Sequence, residues 1–135
     1  MCMKHLLIAL LLSSPALAQT TKTPIAIGCQ SKTGDGVGTE LCTAIRDGVA
    51  TSPRYQEVDS SPNGFQLRVT TIAVSENHAT AASVILTYDD YYISNLVQTC
   101  GSLQVGSCGR QLVSSFDEDI TAFEKEVLAT ARASR

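Results

Sequence analysis

Four groups of residues have the types and spacing that chemistry needs. Gly34, Gly36 and Gly38 lie between an apolar run, Pro24-Ile25-Ala26-Ile27, and a helix-like segment. Strand, glycine loop and helix is the order that cradles phosphate on backbone N–H groups. The dinucleotide pattern G-x-G-x-x-G is missed, because the third glycine comes one residue early. Asp59 stands near the distance at which an acidic residue would hold a ribose, but it follows a strand leading into a meander. A phosphate loop is missed too: there is no Gly-Lys-Ser/Thr, and Lys32 precedes the glycines. The segment GCQSKTGDGVGTELC reads instead as a loop whose glycines let Cys42 return to Cys29.

The carboxylates and histidines form the second and third groups. Asp35 beside Gly36 suggests a calcium loop, but no alternating carboxylates follow it. Asp89-Asp90 reads as a solvated turn. Glu57 with Asp59, and Asp117-Glu118-Asp119, do not set two acids on opposite sides of a cleft, as glycoside hydrolysis requires. The acidic run at 117–119 reads as the solvated face of a helix. His78 is the one histidine outside the first eighteen residues, and a Ser-His-Asp hydrolase would have to use it. No nucleophile elbow Gly-x-Ser-x-Gly accompanies it. The expectation is no catalytic residue, no cofactor and no metal.

Cysteines are the fourth group. The first eighteen residues, MCMKHLLIALLLSSPALA, have a short basic start, a seven-residue apolar run and Ala16-Leu17-Ala18. This is a secretory signal peptide, cut after Ala18. Its apolar run is too short to span a bilayer. Cys2 leaves with it, and Cys29, Cys42, Cys100 and Cys108 remain. An even number in an exported chain implies disulfides, with three possible pairings. Cys29–Cys42 and Cys100–Cys108 are favoured, since each pair brackets a strand-to-helix joint. Closing loops this short stabilises by roughly 2–3 kcal/mol each. The spacings do not match the tight knuckles of a zinc site.

The elements that must position these residues follow from periodicity. Residues 24–29 read as a strand and 39–51 as a helix with Thr39 at its N-cap. Pro53 stops that helix. Strands follow at 55–58, at 65–70 with a continuation to 74, at 80–88 and at 91–100. Cys108, Leu112, Phe116, Ile120, Phe123 and Val127 make one apolar stripe on a long helix over 107–131. The order is β-α-β-β-β-β-α. A meander with one apolar face needs a cover, and two amphipathic helices supply it. The fold class is α+β: a two-layer sandwich with a mainly antiparallel sheet, disulfide-stapled, as a single domain over residues 19–135.

The segment Thr39–Val58 contains a helix of the type L-x-x-A-I-R-x-x-[AV], then Ser-Pro-Arg-Tyr and a short strand. It resembles the small N-terminal α/β domain of periplasmic TolB proteins, and periplasmic auxiliary subunits of envelope transport systems. The resemblance implies a binding or assembly module and brings no catalytic residues.

Composition narrows the partner. Loss of Lys4 with the signal leaves nine basic against thirteen acidic side chains, with no basic cluster. That argues against nucleic acid and anionic membrane surfaces. There is no tryptophan for a stacking platform. Tyr88, Asp89, Asp90, Tyr91 and Tyr92 form the most distinctive surface cluster, and tyrosine is enriched at binding hot spots. An open sheet edge, able to pair with a partner strand, is the other surface to expect. The reading is a non-enzymatic module, periplasmic or secreted, that binds another envelope or secreted protein. An inhibitor or immunity protein, whose acidic loop would plug a basic site, is a variant of it. A small-molecule binder with a groove under the long helix is the alternative.

Overall fold

The computed structural model describes residues 21–135, so the signal peptide and its cleavage after Ala18 lie outside the described residues. Period-2 alternation is clearest in β3 (Phe65–Ser75) and β4 (Ala79–Tyr88), where Leu67, Val69, Thr80, Val84 and Leu86 are buried and their neighbours are not. With β5 (Tyr91–Gly101) these strands form an antiparallel meander. β1 (Thr23–Ser31) lies between β3 and the short β2 (Tyr55–Val58), parallel to both. The strand order is β2-β1-β3-β4-β5.

Two helices cover one face of this sheet. α1 (Gly36–Thr51) buries Leu41, Ile45 and Val49, and α2 (Val105–Ala133) buries Leu112, Phe116 and Ile120. Each large side chain buried this way contributes about 1.5–3 kcal/mol. The helices touch closely: a Cβ on Gly109 would stand 2.7 Å from Ala44 Cβ. The disulfides pair Cys29 with Cys42 and Cys100 with Cys108, at Cα separations of 6.4 and 6.1 Å. These are the favoured pairings, and each ties a helix to the strand before it.

The start of α1 differs from the expectation. The helix begins at Gly36, with Asp35 as its cap in place of Thr39. Asp35 Oδ1 accepts from the Gly38 N–H at 2.8 Å, and Oδ2 accepts from the Thr80 hydroxyl at 2.6 Å. The carboxylate is buried beneath β4 and can reach both donors, which no threonine hydroxyl at 39 could do. The Thr39 hydroxyl instead bonds back to the Asp35 carbonyl. Gly36 and Gly38 are therefore helical. Of the three loop glycines only Gly34, at φ +85°, uses left-handed backbone. Gly38 is glycine because a Cβ there would collide with Thr71 Oγ1 and the Asp35 carboxylate.

α2 is also held by charge. Arg54, just after the proline that ends α1, reaches Asp117 and Thr121 through Nη1 at 2.5 and 2.6 Å, and Glu124 through Nη2 at 2.9 Å. The Tyr55 hydroxyl donates to the same Asp117 oxygen at 2.5 Å. Burial and that hydrogen bond push the Tyr55 hydroxyl well above the usual phenol range, so it stays a donor. Positions 117, 121 and 124 lie one helical turn apart on one stripe. Part of the acidic face expected to be solvated is thus a clamp. Asp119 is engaged as well, accepting from the Ser94 hydroxyl at 2.6 Å.

Arg54→Ala should cost about 1–3 kcal/mol in urea unfolding, because charged hydrogen bonds are lost. That cost should shrink in high salt, since these groups are partly exposed. A second prediction concerns pH. Burial raises the Asp35 carboxyl, but hydrogen bonds from Thr80, the Gly38 N–H and Thr71 outweigh it and hold it below the ordinary 3.8. The folded value is depressed, so its stabilisation is full above 3.8 and is lost as pH falls below it. Unfolding measured from pH 7 to pH 2 should show this acid loss in the wild type, and Asp35→Asn should lack it.

Candidate functional site

The tyrosine-rich cluster divides on folding. Tyr88 pairs with Tyr91 across the β4–β5 hairpin, leaving Asp89 and Asp90 as a two-residue loop at φ +45° and +66°. Positive φ at both central residues is the type I′ geometry, whose twist matches that of the strands. Aspartate tolerates this backbone better than most residues do. Tyr88 turns inward, with its ring 4.9 Å from Phe65 and 5.2 Å from Phe123. It packs against the far end of α2 and is half-buried. Tyr91 and Tyr92 are 72% and 64% exposed. They occupy opposite faces: Tyr91 lies opposite inward-turned Tyr88, and Tyr92 opposite outward-facing Thr87. Successive side chains of a strand alternate in this way, and an extra residue, Ile93, follows at a register shift beside Leu86 and Thr87.

The same hairpin leads into the outer strand of the sheet. β5 is eleven residues long, and among the described residues β4 is its only strand neighbour. Its sequence, YYISNLVQTCG, contains no charge and no proline. Edge strands are usually guarded by such residues, or by covering loops, because a bare row of N–H and C=O groups is a template for another strand. Val97, in the middle of β5 on the uncovered face, is 69% exposed. Sequence reasoning names no residue of this edge beyond the tyrosines. Whether a strand is outermost depends on strand order, which local periodicity does not carry.

The remaining candidates are scattered. His78 is exposed in the β3–β4 turn, where only its backbone is engaged among the described residues, bonding Ser75 and Ser102. Glu57 pairs with Arg46 at 3.5 Å. Asp59 lies in the loop after β2. Among the described residues, no group of three or more His, Cys, Asp and Glu is placed to hold a metal, and no helix is long and apolar enough to cross a membrane. Under the end of α2 an open apolar groove of about 290 Å³ is lined by Pro24, Phe65, Tyr88, Phe123 and Val127.

The resemblance read from residues 39–58 is met at the level of the fold. The chain folds like part of TolB. Against TolB from Acinetobacter baumannii the TM-score is 0.59 at 11% identity, covering 76% of this chain and 29% of that one. A protein of family DUF330 from Xanthomonas campestris also gives 0.59, at 8% identity over 83% of this chain and 93% of that one. Rare lipoprotein B from Shewanella oneidensis gives 0.43 at 10% identity, over 76% of this chain and 98% of that one. No family model and no curated protein matches the chain. The chain spans under a third of the TolB length, and at these identities the likeness is one of fold.

The hairpin makes a stability prediction. Asn-Gly is the preferred pair for a type I′ loop, so Asp89→Asn with Asp90→Gly should relieve two left-handed aspartates. The double variant should gain about 0.5–1 kcal/mol in thermal or urea unfolding, with its disulfides intact.

Proposed function

We propose that this chain is an exported, non-enzymatic module of the bacterial cell envelope that binds another envelope or secreted protein, docking it along the free edge of β5. The observation that carries this reading is the edge itself: eleven residues of outer strand with no charge or proline, entered through exposed Tyr91 and Tyr92. Strand addition uses such an edge, with backbone bonds giving affinity and alternate side chains giving choice. The two disulfides and the secretory leader support an extracytoplasmic setting. The fold shared with TolB supports an envelope role by analogy. The glycine loop spends its helix N-terminus on the Asp35 carboxylate, which supports a binding role over a phosphate-handling one.

A small-molecule reading has one observation in its favour, the apolar groove under α2. Its volume sits at the low end of small-molecule sites. Its walls include Phe65, Tyr88 and Phe123, which the helix already uses for packing.

The test is capture from envelope and secreted extract on the immobilised, oxidised protein. Val97→Lys places a charge on the exposed edge strand and should leave folding intact. A partner held by the wild type should be recovered about tenfold less by Val97→Lys, and less by Tyr91→Ala with Tyr92→Ala. His78→Ala should change nothing. Equal recovery by wild type and Val97→Lys would move the docking surface away from β5. Recovery of no partner by the wild type would overturn the reading.

A further inference from the structure

β2 leaves β1 half-finished. Its last residue, Val58, stands opposite Ala26, and β1 runs on to Ser31 with β3 on one side and, among the described residues, no strand on the other. Arg46 supplies one of the missing bonds. Its Nη2 donates to the Ile27 carbonyl at 3.1 Å, where a strand N–H would otherwise stand. That bond also gives the edge its direction. The Ile27 carbonyl points away from β3, so by the alternation of a strand the backbone groups of Cys29 and Ser31 do too. They are open to a further strand laid along the line of β2.

Gly28 sits within this stretch. Its φ is not left-handed, and a Cβ built on it would meet nothing within 4 Å. Neither conformation nor packing asks for glycine here. A glycine inside a strand weakens it, and it often marks a place where a ligand or another backbone comes close. Across the register Gly28 faces Arg68 on β3, on the uncovered side of the sheet. Arg68 is exposed and forms no ion pair with a described carboxylate. Without a side chain at Gly28, the guanidinium has a clear path across β1 to the free edge. Both residues line a groove of about 360 Å³ beside the loop at Ser60 and Ser61. Open hollows continue it along Gln30 to Lys32. Asp59, at the β2 end, is the one carboxylate among the described lining residues.

We infer that this half-edge is a peptide-binding site for an extended, acidic segment of another protein, laid along β1 with a carboxylate on Arg68. Main-chain bonds to Cys29 and Ser31 supply the strand pairing. Arg68 and Lys32 select the sign of charge, and a guanidinium meets a carboxylate in bidentate geometry. The inference rests on the binding-module reading in taking a protein as ligand, and on nothing about β5.

The probe is a short labelled peptide alternating Glu with Val, beside its Lys-for-Glu counterpart. Both are titrated against the oxidised protein at low salt by fluorescence anisotropy, with backbone amide shifts followed by NMR. The Glu peptide should bind at least about tenfold tighter than the Lys peptide, a difference of about one charge pair. Amide shifts should centre on Cys29 and Ser31. Gly28→Val fills open space with a better strand former, so it should melt no lower than the wild type while binding the Glu peptide about tenfold more weakly. Arg68→Glu should reverse the preference toward the Lys peptide. Equal affinity for the two peptides, or wild-type binding by Gly28→Val, overturns the inference. Amide shifts confined to β5 also overturn it, while leaving docking at β5 standing. Binding centred on Cys29 and Ser31, with no partner captured at β5, upholds the peptide site and overturns docking at β5.

Discussion

The apolar stripe of α2 can leave water only by lying on the sheet, and the rest of the molecule is arranged to keep it there. The helix is held at three points along its length. Cys108 is bonded to Cys100 at the end of β5, so the chain turns straight from edge strand into helix. Asp117, Thr121 and Glu124 take the Arg54 side chain midway. Phe123, within the same stretch, meets Phe65 and Tyr88. These contacts differ in chemistry: a covalent bond, a charged clamp and an aromatic cluster. With α2 fixed, α1 is fixed too. Gly109 against Ala44 and Gly48 against Val113 bring the helices so close that neither can shift without the other.

Covering one face in this way leaves the other face to water, along with the short outer edge of β2 and two longer stretches, β5 and the end of β1. A stapled, well-packed body has little freedom to lose when a strand is added, and preorganisation of that kind favours binding. The stretches differ in chemistry. β5 is neutral and begins with two exposed tyrosines. The open half of β1 has Arg68 and Lys32 nearby, with Asp59 at its β2 end, and a glycine at its centre. A single partner strand would not suit both. They also lie at opposite sides of the sheet, with β3 and β4 between them. The two edges therefore present different chemistry to solvent.

Much of this fold was legible because its local signals agree. The alternation in β3 and β4, the stripe of α2 and the pairing of cysteines around strand-to-helix joints each point to the observed architecture. What was not legible depends on residues far apart in sequence. Asp35 caps α1 because Thr80, 45 positions later, comes down upon it. Ser-Pro-Arg-Tyr could be recognised as a pattern, but its work is to grip Asp117, which lies 63 positions from Arg54. Tyr88 and Tyr92 are alike as sequence. One is inside and the other outside because the two-residue loop pairs Tyr92 with Thr87, whose face is opposite to that of Tyr88. Which strands form the edges follows from β1 inserting between β2 and β3, and no local pattern encodes that.

Glycine shows most clearly how structure separates stability from function here. By sequence, Gly28, Gly38 and Gly109 are equivalent small residues next to predicted elements. In the fold, Gly38 is required by the Asp35 cap beneath it, and Gly109 by the backbone of Ala44. Gly28 is required by nothing in its surroundings. A Cβ there would meet no neighbour, and a β-branched residue is the better strand former. A residue that weakens its own element and relieves no contact has its reason outside the folded chain. The exposed arginine opposite it, and the open backbone of Cys29 and Ser31 beyond it, are the groups that the proposed peptide would meet.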